Sequence, residues 1–319
     1  MTVTVAIPVL DGARWLDEVL GAVRAQEVDR EVQVLVADSG SRDASVQIAR
    51  RHGAEVFAVE AFSHGATRNE LMRRARGEHV AFLTQDATPA HPGWLAALLG
   101  GFAAGDDVAA VTGPYLARPG HEFTVGRELE DWFAALAGPG GQARVARRPP
   151  ERRGSRVPEP AAFFSDANGA VARWAWELVP FRSVRYAEDR LLGLDVLDAG
   201  LALAYVPDAA VIHSHDYAPV DLFRRCFDEW RGLREVTGHM ESARPAALAR
   251  EVARGVRADR AWLRRHGRDV GRGTLRSLRH HALRTAGATL GSRADRLPPT
   301  VRRACSLEGR ASFEPVPGP

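Results

Sequence analysis

The chain has no lysine: all 43 of its basic residues are arginine, a bias that reads as codon usage more than as a functional choice. Two cysteines, Cys226 and Cys305, are too few for a disulfide framework or a cysteine-based metal site. No apolar run approaches the roughly 18 residues that a membrane-spanning helix needs. The N-terminus lacks a basic stretch and a small-residue cleavage site, so it reads as a first strand rather than a signal peptide, and a cytoplasmic location is expected. No Gly-x-Gly-x-x-Gly follows that strand, which disfavours a dehydrogenase. Aromatic residues make up 7 %, and those in the C-terminal third are not interleaved with its arginines as base stacking would need, so nucleic acid is not an expected partner.

A hydrophobic content of 45 % and a charged content of 26 % over 319 residues are those of a globular protein with a full core. The net charge of +3 is unevenly placed, because arginine density rises after residue 220. A basic helical tail fits peripheral contact with the inner face of a membrane, a homodimer interface, or a solvated helix face.

Residues 1–115 alternate strand and helix signals, the pattern of a parallel sheet covered by helices. Strands are expected at 2–8, 31–38, 55–59, 79–84 and 108–112. Helices are expected at 15–23, 45–52 and 67–76, the last capped by Gly77. Residues 138–160 are dominated by Gly, Pro and Arg, and read as a mobile loop, either a lid or an insertion. A helix over 188–199 and strands at 202–206 and 210–212 follow. Beyond Pro219 only helices are expected, at 222–236, 246–265 and 274–290, before a frayed Pro-rich tail. The expected division is an α/β domain over 1–218, with halves 1–115 and 116–218, and a helical region over 219–319.

Within the first half, the apolar run Val34-Leu35-Val36-Ala37 stops at Asp38, and Ser39-Gly40-Ser41 follows. A buried parallel strand there delivers a carboxylate to the C-terminal edge of the sheet, where open α/β sheets bind ligands. Small turn residues at a helix start also leave backbone N–H groups for polar ligand atoms. Asp86 follows a second such run, Val80-Ala81-Phe82-Leu83-Thr84. A carboxylate in that position can hold a divalent cation against substrate phosphates, or simply form a turn. Glu188 and Asp189 open a helix, where acids also complement the helix dipole.

The order of these features carries a resemblance. Ile7-Pro8-Val9-Leu10-Asp11, Asp38-Ser39-Gly40-Ser41, Arg68-Asn69, Gln85-Asp86, Ala187-Glu188-Asp189 and Val211-Ile212-His213 together resemble the family 2 glycosyltransferases with the GT-A fold, over residues 2–216. Phe62 to Asn69, Leu83-Thr84-Gln85-Asp86-Ala87 and His213-Ser214-His215-Asp216-Tyr217 are similar to a bacterial rhamnosyltransferase-like subgroup.

The resemblance implies an α/β GT-A domain with a C-terminal helical extension, acting on a dTDP- or UDP-linked nucleotide sugar. Asp38 would contact the base or ribose, with Pro8, Asp11, Ser39 and Gly40 shaping the pocket. Arg68 and Gln85 would lie near the ribose and diphosphate. Asp86 would bind a divalent cation, Mg²⁺ or Mn²⁺, with His213 as further ligand and His215 as second choice. Asp189 would be the general base with Glu188 beside it. Asn168 and Trp174 would face the acceptor, a hydroxyl-bearing saccharide, lipid-linked or small molecule. Trp132, Trp174 and Trp176 are equally core residues or sugar-stacking platforms, and Arg224 and Arg225 either reach the diphosphate or lie on a solvated face. Asp86 stands in a Thr84-Gln85-Asp86 motif where the family often has Asp-x-Asp, which weakens the expected metal dependence. The Gln-x-x-Arg-Trp of processive members is absent, which favours single addition. One base and no second positioned carboxylate imply inversion at the anomeric carbon. Two alternatives are a sugar-phosphate nucleotidyltransferase, which would carry a Gly-rich N-terminal loop and a lysine, and a non-catalytic nucleotide-sugar-binding protein at a membrane surface.

Overall fold

Branched and small apolar residues dominate the buried runs of the chain. In the computed structural model, which describes residues 2–60, 62–154, 160–184 and 186–309, these runs become strands. β1 (Thr2–Val9), β2 (Glu31–Asp38), β3 (Glu55–Ala58) and β4 (His79–Leu83) are connected by α1 (Ala13–Arg24), α2 (Ser45–Arg51) and α3 (His64–Arg74). Next come β5 (Thr88–Pro89), α4 (Trp94–Gly100), β6 (Val108–Thr112), β7 (Tyr115–Leu116), α5 (Phe123–Leu136) and β8 (Arg144–Ala146). β9 (Asn168–Ala172), α6 (Arg173–Leu178), α7 (Glu188–Asp198), β10 (Ala202–Tyr205) and β11 (Val211–Ile212) complete the α/β part. The chain then runs through α8 (Pro219–Thr237), α9 (Pro245–Arg265), α10 (Val270–Gly291) and α11 (Pro299–Cys305).

Eight strands form one sheet in the order β3-β2-β1-β4-β9-β6-β10-β8. β9 runs antiparallel to both neighbours and β8 antiparallel to β10; the other pairs are parallel. One apolar layer packs Leu16, Val19, Leu20, Trp94 and Leu98 on one face, and another packs Leu71, Met72, Phe164, Leu192 and Leu197 on the other. All the parallel strands therefore end on one edge. A second sheet, β5-β11-β7, crosses that edge and pairs Ile212 with Thr88. This pairing sets the residues after β11 beside the residues after β4.

The C-terminal helices pack closely because α10 presents glycines to α8. A Cβ at Gly287 or Gly291 would strike the α8 backbone at Phe223 or Phe227. The helices are fastened to the α/β part by a buried pair, Arg127 Nε to Asp259 Oδ1 at 2.7 Å, which joins α5 to α9. Among the described residues, no helix is long and apolar enough to cross a membrane.

Three expectations change. The third helix starts earlier, at His64, and ends at Arg74, so Gly77 is not its cap. Gly77 instead passes close to β1, where a Cβ would meet Thr4 N at 2.7 Å. The 138–160 segment is not a bare loop, since β8 adds an edge strand to the main sheet. Arg147 binds Asp107 and Arg148 binds Asp198, so two of its arginines pair with acids from outside the segment; residues 155–159 lie outside the described part. The tail also continues in order past residue 294: it forms α11, and the Leu307 N–H donates to the Asp228 carboxylate, while residues 310–319 lie outside the described part.

Candidate active site

The turn after β2 organises itself around Asp38. Its carboxylate accepts from the N–H groups of Gly40 and Ser41 at 3.2 Å, and Gly40 takes a φ of 96°, open to glycine at no steric cost. The Asp11 carboxylate accepts from the Arg42 N–H at 2.7 Å, and the Asp11 N–H donates to Ser41 Oγ. Pro8 stands near the end of β1 opposite Ala37. The Ser39 hydroxyl is buried and has no hydrogen-bond partner among the described residues. The structure thus brings Pro8, Asp11, Asp38, Ser39 and Gly40 to one corner of the sheet edge.

Gln85 departs from its expected role. Its Oε1 accepts from the Leu10 N–H at 2.8 Å and its Nε2 donates to the Leu10 carbonyl, so both ends of the amide staple two loops together. It frames the pocket, with each end of its amide engaged by Leu10.

Asp86, His213 and His215 converge through the β5–β11 pairing. His213 Nδ1 lies 3.5 Å from Asp86 Oδ1, and His215 Nε2 lies 3.5 Å from Asp86 Oδ2. One donor atom from each residue falls within 4.8 Å of the other two. Metal–ligand bonds of about 2.1 Å set neighbouring donors roughly 3–4 Å apart, so the spacing fits a divalent cation. Two further observations agree. His213 Nδ1 is buried without a hydrogen bond, and burial lowers the pKa of both imidazoles, that of His215 to about 4 with help from His213. Neutral imidazoles keep a lone pair for a metal, and a two-His, one-carboxylate set suits Mn²⁺ better than Mg²⁺. Arg118 supports the Asp86 backbone through a 2.8 Å bond to its carbonyl.

Arg225, from α8, faces the same cluster. Its guanidinium lies 5.1 Å from the Tyr186 ring, and it lowers the pKa of both His213 and His215 by its charge. It is half-buried, and the charges of Glu229 and Glu308 act on it. From sequence, a solvated face was the better reading for this arginine; the fold sets it beside Asp86, His213 and His215.

A second group assembles around Arg68, which is 3 % exposed. Its Nε pairs with Asp166, and its Nη1 with Glu188 Oε1 at 3.1 Å. Three carboxyls share this one cation. Burial raises the Asp166 carboxyl to about 7; burial and then the Asp166 charge raise Asp189 to about 6; burial raises Glu188 as well. Glu188 is fully enclosed, whereas Asp189 keeps access to solvent. Ala187, just before them, holds a φ of 63°, a left-handed conformation that turns the start of α7 inward; with Asp11 it is one of two such non-glycine residues among those described. The two groups meet through Tyr115, whose hydroxyl donates to Ser165 while its ring stands edge-on to His213 at 5.2 Å.

The acceptor contacts fall elsewhere. Asn168 is 0 % exposed, and its amide binds Trp94 Nε1 and the carbonyls of Pro114 and Ala209. It is a fully buried framework residue, held through both ends of its amide. Trp174 is exposed, but it follows β9, which starts at the site edge beside Leu83 and ends beside His79, so Trp174 lies at the opposite edge of the sheet. Asp166 was in view in the same segment as Asn168, but only its pairing with Arg68, 98 positions earlier, distinguishes it.

A profile of the family described as "Glycosyl transferase family 2" matches residues 4–170, just over half of the chain. The chain belongs to glycosyl transferase family 2. This glycosyltransferase is 27 % identical over 235 residues to the O-antigen chain rhamnosyltransferase RfbN of Salmonella typhimurium, covering 72 % of this chain and 71 % of that one. It is 29 % identical over 226 residues to the O-antigen chain rhamnosyltransferase WbaN of Salmonella anatum, with 68 % and 66 % covered. Its fold is similar to that of a mannosyltransferase from Pyrobaculum calidifontis solved with GDP-Man and Mn²⁺, at a TM-score of 0.59, 19 % identity and coverage of 91 % and 86 %. S. aureus TarS, solved with UDP-GlcNAc, gives 0.51, 14 %, 93 % and 92 %. The architecture is the GT-A fold, with a helical C-terminal region.

Proposed function

We propose that this glycosyltransferase moves rhamnose from a nucleoside-diphosphate donor to a saccharide hydroxyl, once per encounter and with inversion. The convergence of Asp86, His213 and His215 beside Asp189 carries the reading. It sets a cation site and a candidate base on the same edge, joined by Tyr115. The likeness to two rhamnosyltransferases supports the donor sugar.

The Asp189 carboxylate takes the proton of the acceptor hydroxyl as that oxygen bonds to the anomeric carbon. The bond from that carbon to the diphosphate oxygen breaks on the opposite face, and its electron pair leaves with the nucleoside diphosphate. A base of pKa about 6 is matched to this proton near neutral pH. Glu188 and Asp166 are committed to Arg68, which leaves Asp189 for the acceptor. Asp86, His213 and His215 would hold a divalent cation, which when bound stabilises the charge growing on the leaving group. Arg225 stands where it can share that charge. Ser39, Gly40 and Asp38 line the corner suited to the nucleoside.

The test is a panel of nucleotide sugars with Mn²⁺, a saccharide acceptor and product anomer analysis by NMR. Inverted rhamnoside from one donor, with Asp189→Asn lowering kcat by about 10²–10⁴-fold at unchanged donor binding, supports the proposal. A retained anomer, or an Asp189→Asn enzyme of near-normal kcat, overturns it.

A further inference from the structure

The α9–α10 hairpin holds ten arginines and three acids between residues 245 and 279, and all ten arginines are exposed. The acids are occupied: Asp259 is buried under Arg127 and His281, Asp269 caps α10, and Glu251 pairs with Arg254. On the outer stripe of α10, Arg272, Arg276 and Arg279 flank Leu275 and Leu278, which are 72 % and 48 % exposed. The buried residues of that helix, Gly273, Ser277 and His281, lie on its other side, so the two leucines are not core residues left partly bare.

We infer that this stripe of α10 is a docking face for an anionic lipid surface. Arginines around a pair of leucines are the composition of a helix lying in a membrane interface: the cations meet the headgroups and the apolar side chains enter the acyl boundary. A second copy of the chain fits less well, because a two-fold contact would set this arginine field against itself. Nucleic acid fits less well too, since no exposed aromatic residue accompanies these arginines to stack on bases. The face also adjoins the site. Arg276 lies 3.8 Å from the Glu122 carboxylate, and the Glu122 N–H donates to the Asp216 carboxylate, next to His215. A docked molecule therefore holds its site edge near the lipid surface, within reach of a lipid-borne acceptor; this last step alone rests on the transferase reading.

The experiment is co-sedimentation of the full chain with vesicles of phosphatidylglycerol and phosphatidylcholine in a one-to-two ratio, beside pure phosphatidylcholine. Binding to the anionic vesicles alone is expected. Each arginine removed should weaken it about fivefold, so that Arg272→Gln/Arg276→Gln/Arg279→Gln together cost on the order of 100-fold. Leu275→Ser/Leu278→Ser should leave only binding that added salt reverses in full. All five positions are exposed, so thermal melts of both variants should match wild type. Equal binding to both vesicles, no binding to either, an arginine variant that binds like wild type, or preferential binding of duplex DNA or RNA added as competitor would each overturn the proposal.

Discussion

Replacing Asp166 by Asn tests the electrostatic core of the site, and it should make the protein more stable at pH 8. The Asp166 carboxyl rises from 3.8 to about 7, with burial the main cause. A rise of roughly three pH units at ~1.4 kcal/mol each puts the cost of ionising it in the folded state near 4 kcal/mol. An acid whose folded pKa exceeds its unfolded value keeps its proton longer in the native state. Its stabilising contribution is therefore full below 3.8 and is lost as pH climbs through about 7. Asn mimics the protonated acid: its oxygen still accepts from Arg68, and its amide can donate to Glu188. If imperfect fit costs ~1 kcal/mol, the variant should gain about 2–3 kcal/mol at pH 8, or roughly 4–8 °C in Tm, and the gain should vanish toward pH 4. Scanning calorimetry of both proteins from pH 5 to pH 8 reads this directly. The same substitution removes the charge that, after burial, most raises Asp189, so the acid limb of kcat/KM should move below about 6. A variant less stable than wild type at pH 8, or a stability difference that does not change with pH, would refute the reasoning. It would mean that Asp166 is an ionised partner holding Arg68 in place.

The remaining predictions concern the metal cluster, Arg225 and the α5–α9 fastening. His213→Ala should abolish any rise in Tm on adding Mn²⁺, while leaving the metal-free Tm within a few degrees, because the Nδ1 it removes has no protein hydrogen bond. Arg225→Gln should weaken nucleoside-diphosphate binding in calorimetric titration by about 10-fold and raise KM for the donor, since it removes a cation set beside the Asp86–His213–His215 cluster. Asp259→Asn should cost about 1–3 kcal/mol in chemical denaturation, because Arg127 and His281 both lose a buried charged partner, while Arg127 keeps Asp131 and Glu128.

The sequence was informative where one strand or one turn decides the chemistry. The run into Asp38 and the run into Asp86 each mark a strand and a carboxylate at its end, and both acids lie on the ligand edge. His213 was legible as a candidate ligand with His215 as its second choice, and the fold brings both to Asp86, because alternate residues after a short strand share one side. Three other features depend on pairings between distant segments. β9 is antiparallel and inserted between β4 and β6, so the segment holding Asn168 enters the sheet from the site edge and carries Trp174 away from it. Gln85 looks like a polar site residue until Leu10, 75 positions away, takes both ends of its amide. β8 lies in a stretch whose Gly, Pro and Arg content argues against a strand, and it forms because the edge of β10 supplies the partner and Asp107 and Asp198 supply the countercharges.

The fold also gives two adjacent acids different surroundings. Glu188 and Asp189 share a helix start, and from sequence only the family resemblance favours Asp189 as the base. The left-handed turn at Ala187 directs Glu188 inward to Arg68, where an ion pair and burial hold it. Asp189, one position on, is partly exposed, and burial of its carboxyl, followed by the Asp166 charge, makes it a stronger base than an ordinary aspartate. On the other side of Tyr115, burial keeps His213 and His215 neutral and able to donate lone pairs. On the proposed function the two halves need opposite electrostatics on either side of Tyr115: a carboxylate made more basic by burial and a neighbouring charge, and uncharged nitrogen donors for a cation. Arg68 keeps the first tolerable in a folded protein, and Tyr115, an uncharged phenol, separates it from the second.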